Sequence, residues 1–322
     1  MEGTANKSAH KDRRWILVAI GGLLLLVGVM AALLGPAEMY CFYLFSEGGR
    51  FHYDGFGFGS FMFGNIAAQI IGYYLIAIVC IPLGYGHLRV RRWARTLSLT
   101  LLGFWLVAGV PLLLLFLFIL LSSKDVSPAG ALVAVVSLAL SYTVLPGLLI
   151  WFYRSGDVKL TFHTRDPNSY WIDALPIPVL VVSSLLLLCA IAMQILILFN
   201  GIFPLFGLWL SDLQGILLID ISIMCLVTLI WGMLRMKAWA WLGSLFCLGL
   251  LTLSVILTLS ISSLADILSR MRFADLEMEM LQGLPLHGIH FAALVAIPLL
   301  ATLGLIVYSR RYFVTERSPS LP

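Results

Sequence analysis

Eight long apolar runs set the terms for the rest of the chain, at about 15 to 35, 61 to 86, 96 to 121, 131 to 153, 177 to 199, 215 to 234, 239 to 263 and 289 to 309. At 1.5 Å per residue each is long enough to cross a hydrocarbon core of about 30 Å. Inside lipid a backbone amide finds no partner but another backbone group, which leaves helices and closed barrels as the spanning forms. These runs lack the alternation of barrel strands. The predicted fold is therefore all-α, a polytopic membrane helical bundle of eight transmembrane helices. Composition agrees: 61% of the residues are hydrophobic and 11% charged, against roughly 45–50% and 25% in soluble domains.

The charges sort to one side. Sixteen of the twenty Lys and Arg fall in segments 1–14, 87–95, 154–176, 235–238 and 310–322; the other side holds only Arg50, Lys124, Arg270 and Arg272. The positive-inside rule then places both termini in the cytoplasm of a cell that carries the chain in its plasma membrane. A net charge of +4 divided among short loops gives nucleic acid nothing to bind, so the expected surroundings are the lipid bilayer. The basic N-terminus ahead of Trp15 imitates a signal peptide, but the run to Leu34 exceeds an h-region and is kept as a first span. Five cysteines include no C-x-x-C pair, and no disulfide framework follows.

The chain also repeats itself. L-R-V-R-R-W-A-R at 88–95 and L-R-M-K-A-W-A-W at 234–241 lie 146 residues apart, each in the short link between the second and third helix of its half. This predicts two parallel four-helix repeats, 15–153 and 177–309, joined by a connector at 154–176 and flanked by cytoplasmic tails at 1–14 and 310–322. Each last helix carries a mid-span proline, Pro146 or Pro298. Arg89, Arg91 and Trp93 in one link, and Arg235 and Trp239 in the other, read as interfacial anchors, with a docking or ligand role as the sharper alternative. On the outer side, glycine-threaded aromatics from Tyr40 to Phe63 suit interfacial seating, and 264–282 carries an apolar stripe with Asp266 and Arg270 placed to pair at i,i+4, as in an amphipathic surface helix.

No metalloprotease, phosphate-loop or nucleophile-elbow signature is present, so neither a catalytic residue nor a cofactor is expected. His287 and His290, with His52 and Asp54 on the same side, do not amount to a metal site. Polar residues inside spans say more, because lipid penalises them. Asp220 is the one acidic residue within a span, roughly 7 Å below the outer end of its helix. Asn65, Gln69, Gln194 and His290 sit at comparable depth on three other helices. Together they outline a candidate outer polar pocket, with packing hydrogen bonds between helices as the plainer explanation.

The connector reads F-Y-R-S-G-D-V-K-L-T-F-H-T-R-D-P-N-S-Y-W-I-D-A-L-P-I-P-V from Phe152 to Val179. By composition it is a solvated loop, turning at Asp166-Pro167 and anchored by Trp171. Its pattern, carried by Phe152, Tyr153, Arg154, Ser155, Val158, Thr161, Arg165, Asp166, Pro167, Trp171, Asp173, Pro176, Pro178 and Val179, resembles one found in a group of uncharacterised bacterial multi-span membrane proteins. That resemblance covers under a tenth of the chain and implies a bacterial membrane setting. Arg165, Asp166, Trp171 and Asp173 are candidate docking residues for a cytoplasmic protein. The expected function is a non-enzymatic accessory, sensory or assembly module. The alternative is a small-molecule transporter with an outward-facing pocket near Asp220; an intramembrane enzyme would have only Asp220 and His290 as ionisable partners.

Overall fold

The computed structural model describes residues 12–46, 48–52, 60–122, 127–270 and 288–314. Helices α1 (Arg14–Phe45), α2 (Phe61–Leu88), α3 (Arg92–Ser122) and the pair α4 (Pro128–Ala139) and α5 (Leu145–Arg154) build the first half. A short helix α6 (Gly156–Arg165) and a 3-10 turn (Trp171–Ala174) lead to α7 (Ile177–Leu198), α8 (Asp212–Leu234), α9 (Ala238–Ile261), a short α10 (Leu264–Arg270) and α11 (Gly288–Val314). Eight of these helical stretches, with α4 and α5 counted as one, are long and apolar enough to cross a membrane. The protein is a multi-pass membrane helical bundle.

Within the spans, many hydroxyls find partners inside their own helices. Ser141, Ser183, Ser184, Ser222, Thr228, Thr252 and Thr302 each donate to the carbonyl four residues back at 2.7 to 2.9 Å. That satisfies these seven donors where lipid offers no partner.

The α1–α2 contact rests on absent side chains. Gly21, Gly28 and Gly35 are buried at seven-residue intervals along α1, a spacing that keeps one stripe facing a partner. A Cβ on Gly28 would lie 2.9 Å from the Ile81 backbone nitrogen, and one on Gly84 would lie 2.7 Å from that of Leu25. The backbones have closed to the distance that small residues allow between membrane helices. Most of the remaining α1 surface is bare, including Leu23, Leu26, Met30 and Leu33, which suits lipid.

The α2–α3 and α8–α9 links have the same build. In the first, the Val90 N–H donates to His87 O at 3.0 Å and the Arg91 N–H to Gly86 O at 2.7 Å; in the second, Met236 donates to Met233 O at 2.9 Å and Lys237 to Gly232 O at 3.0 Å. These are paired bonds of the Schellman type, with the left-handed residue at Val90 (φ +50°) or Met236 (φ +54°). Both corners close over a glycine, since a Cβ on Gly86 would meet Trp93 and Ala94 at 2.8 Å, and one on Gly232 would meet Ala240 at 2.5 Å and Trp239 at 2.8 Å. The two prolines differ more: a π-helical turn, Leu140–Val144, precedes Pro146, whereas Pro298 lies within the continuous α11.

Two cores result. One joins Val182 and Leu186 of α7, Ile219 and Leu226 of α8, Leu248 of α9 and Ile306 of α11. The other joins Leu17, Leu83, Val90, Leu99 and Tyr153 with Val158 and Phe162 of α6. The segment 156–165, expected as a solvated loop, is therefore a helix whose Val158, Thr161 and Phe162 are buried under the first half. Ser155 caps it, accepting from the Val158 N–H at 3.5 Å.

Between α7 and α8 the chain forms a hairpin absent from the sequence expectation. Strands β1 (Phe203–Leu205) and β2 (Leu208–Leu210) pair antiparallel around Phe206 and Gly207, both at positive φ as a type I′ turn requires. Its turn lies against α9. The Phe206 and Gly207 N–H groups donate to Ser254 and Thr258 at 2.9 and 2.8 Å, Ser254 donates to Pro204 O at 2.7 Å, and the Trp209 indole donates to Ser262 at 2.7 Å. Ser254 stands seven residues from the end of α9, so the turn reaches roughly 10 Å down that helix, and α9 supplies the donors' partners that lipid withholds.

Candidate functional site

One end of the bundle carries the α2–α3 corner, the connector and the α8–α9 corner, and with them most of the cations. It is called the basic face below. Its centre is Asp166, whose residue is only 1% exposed. This carboxylate accepts from the Arg92 N–H at 3.2 Å, the Tyr170 hydroxyl at 3.0 Å, the Asn168 N–H at 3.3 Å and the Arg91 guanidinium at 3.4 Å. Burial pushes the Asp166 carboxyl up, but the Arg92 and Asn168 amides, the Tyr170 hydroxyl and the Arg91 charge together outweigh it and hold it below its ordinary value.

The reason for this arrangement lies at the start of α3. Its first turn begins at Arg92 with no serine, threonine, aspartate or asparagine before it, so its free N–H groups have no local cap. The connector supplies one from 74 residues away. Asp173 supports it: Thr96 donates to Oδ1 at 2.7 Å, the Tyr170 N–H to Oδ2 at 3.3 Å, and Arg92 pairs with Oδ2 at 3.9 Å. Two carboxylates at this helix start also suit its dipole. The matching helix α9 begins without a side-chain cap.

Other bonds extend the clasp. Arg13 pairs with Asp157 at 3.4 Å and donates its N–H to Thr161 at 3.3 Å, Arg165 pairs with Asp12 at 3.2 Å, and Arg95 Nε donates to Tyr153 O at 2.9 Å. His163 senses the local field: burial, then the charges of Arg92, Lys159 and Arg95, lower its pKa.

The predicted docking residues separate into two groups. Arg91, Asp166 and Asp173 turn inward and hold the connector. Arg165 and Trp171 are exposed on it, Trp171 to 69%. Arg89, Arg235 and Trp239 are exposed at the corners, with Arg89 5.9 Å from the Tyr85 ring and Arg235 4.8 Å from that of Trp231; Trp93 is half-buried over Gly86.

The expected outer pocket fares differently. Asp220 is exposed on the α8 stripe that also bares Leu217, Ile221 and Met224; Gln69 and Gln194 are exposed and Asn65 is half-buried. His290 lies in the first turn of α11, and His287 and Asp54 fall outside the described residues. Among the described residues no hydrogen bond joins Asp220, Asn65, Gln69 and Gln194 to one another. The cavity found nearby, about 430 Å³ between α8, α9 and the hairpin, is lined instead by groups such as Phe203, Leu226, Leu248 and Ser254. Cys225 and Cys247 face each other there at 3.7 Å, a proximity that their separate positions in the sequence did not announce. Among the described residues no group of three His, Cys, Asp or Glu is placed to hold a metal ion.

Sequence reasoning passed over His87. Its ring is fully buried, Nδ1 donating to Leu83 O at 2.8 Å while Nε2 accepts from Tyr153 at 2.7 Å, with Ser98 Oγ at 3.3 Å. A serine beside a histidine suggests a nucleophile and base, but Tyr153 holds the accepting nitrogen and neither Ser98 nor His87 meets solvent. The cluster is a packing lock. Its signal in the sequence was a lone histidine at the end of an apolar helix.

No protein family, curated protein or solved structure matches the chain. What the geometry defines is a multi-pass helical membrane protein whose connector is built into its basic face.

Proposed function

We propose that this chain is a non-enzymatic module of a bacterial cytoplasmic membrane, with both termini in the cytoplasm, whose working surface is the connector and which engages a cytoplasmic protein there. The observation that carries this reading is the division of labour in the connector. Asp166 and Asp173 fix it against α3, while Arg165 and Trp171 remain outside on a backbone that has been immobilised. Exposed tryptophan and arginine on one anchored segment are residue types enriched at the hot spots of protein interfaces. The matched corners at 86–94 and 232–240 support descent of the two halves from one four-helix unit, arranged as parallel repeats. The excess of cations on the basic face supports its cytoplasmic orientation. The transporter reading draws less support, because Asp220, Gln69 and Gln194 stand on exposed helix surfaces with no hydrogen bond joining them among the described residues.

Replacing Trp171 by a photo-reactive phenylalanine analogue in living cells tests the proposal. The expected product is an adduct with a discrete cytoplasmic protein, lost when Arg165→Glu is added. If irradiation yields only lipid adducts, with the protein intact and inserted, Trp171 is a membrane anchor and the docking proposal fails.

A further inference from the structure

We infer that a second cavity, on the basic face at the junction of α1, the α2–α3 corner and α6, is a binding site for a phosphate group. It has a volume of about 430 Å³ and is lined by Arg14, Leu88, Arg89, Val90 and Arg165. Three of its five lining residues are thus arginines, from the first turn of α1, the end of α2 and the last turn of α6. Arg165 shares its charge with Asp12 at 3.2 Å, whereas no ion pair engages Arg14 or Arg89 among the described residues. The cluster therefore keeps an excess of positive charge in a concave site, where a field of one sign is focused rather than dispersed.

The corner geometry produces this arrangement. The left-handed turn at Val90 sends the two arginines beside it to different tasks: Arg91 to Asp166, and Arg89 to the cavity. Guanidinium forks match the paired oxygens of a phosphate, and three of them suit a doubly charged monoester better than a zwitterionic diester. The level is also informative. Arg14 opens one span and Arg89 follows the end of another, which sets the cavity where headgroups lie, while Leu88 and Val90 give it an apolar floor. Its ligand is a phosphate monoester, carried by a lipid headgroup or free in solution.

The full chain, purified in detergent, is titrated with short-chain phosphatidic acid, short-chain phosphatidylcholine and inorganic phosphate, with bound ligand counted by native mass spectrometry. Phosphatidic acid is expected to bind and phosphatidylcholine not. Arg14→Gln and Arg89→Gln should each weaken binding roughly fivefold, while Arg235→Gln, which removes the same charge elsewhere on this face, should leave it unchanged. Inorganic phosphate that displaces phosphatidic acid identifies a soluble ligand; failure to displace it identifies a lipid headgroup. The inference is overturned if phosphatidic acid does not bind, if the Arg14→Gln, Arg89→Gln double variant binds as the native chain does, or if Arg235→Gln weakens binding equally. Arg14 and Arg89 are exposed and Arg165 is left in place, so this outcome is independent of cross-linking at position 171.

Discussion

Ser98 and Ser244 stand 146 residues apart at matching places behind the two corners, and both are buried. The first has His87 at 3.3 Å. In the second half Met233 stands at the position matching that histidine, and the Ser244 hydroxyl has no hydrogen-bond partner. A buried hydroxyl without a partner costs about 1 kcal/mol or more, and removing it recovers that cost. Ser244→Ala should therefore raise the stability of the detergent-solubilised protein by about 1 kcal/mol, whereas His87→Leu should lower it by about 1–3 kcal/mol by stranding Tyr153. Thermal melts of the two variants should move in opposite directions. A loss in both would mean that Ser244 has found a partner of its own.

At the scale of elements, contact is set by what the helices leave out. Gly28→Leu should drive α1 away from α2, destabilising the protein by about 1–3 kcal/mol, because its neighbours include backbone that cannot give way. Gly22→Leu, with nothing within 4 Å, should be silent in the same melts. The eight spans were legible in the sequence because a bilayer demands long apolar runs and little else resembles them. The corners were legible as a repeated string, although nothing in the letters distinguished Arg91, which is consumed internally, from Arg89, which is not. The hairpin was hidden by its brevity: strands of three residues inside an apolar stretch carry no period, and only Gly201 and Gly207 marked its bends. The connector helix was masked by its polarity, although Ser155 followed by Asp157 was a start signal and Val158, Thr161 and Phe162 sat at helical spacing. The outer polar residues were placed by depth alone, which carries no azimuth, and Asp220, Gln69 and Gln194 stand on exposed helix surfaces.

At the scale of the whole molecule, the first and last helices both bring their basic ends to one face. Arg13 meets α6, the Trp241 indole donates to Ile306 O at 2.7 Å, and Arg310 lies 5.9 Å from the Trp241 ring. Reporter domains fused at Met1 and at Pro322 should therefore share a compartment, and by the distribution of cations it should be the cytoplasm. Protease protection in right-side-out and inverted vesicles checks this, and a fusion at either terminus cleaved from the periplasmic side would overturn the assignment.

The glycine seam between α1 and α2 bears on how the chain is made. Its closest contacts are in place once residue 88 has left the ribosome, since the nearest neighbours of Gly21, Gly28 and Gly35 lie on α2. The histidine lock, by contrast, waits for Ser98 and Tyr153. Biogenesis can accordingly proceed by delivery of a paired helical hairpin into the membrane, latched only when the fourth crossing arrives.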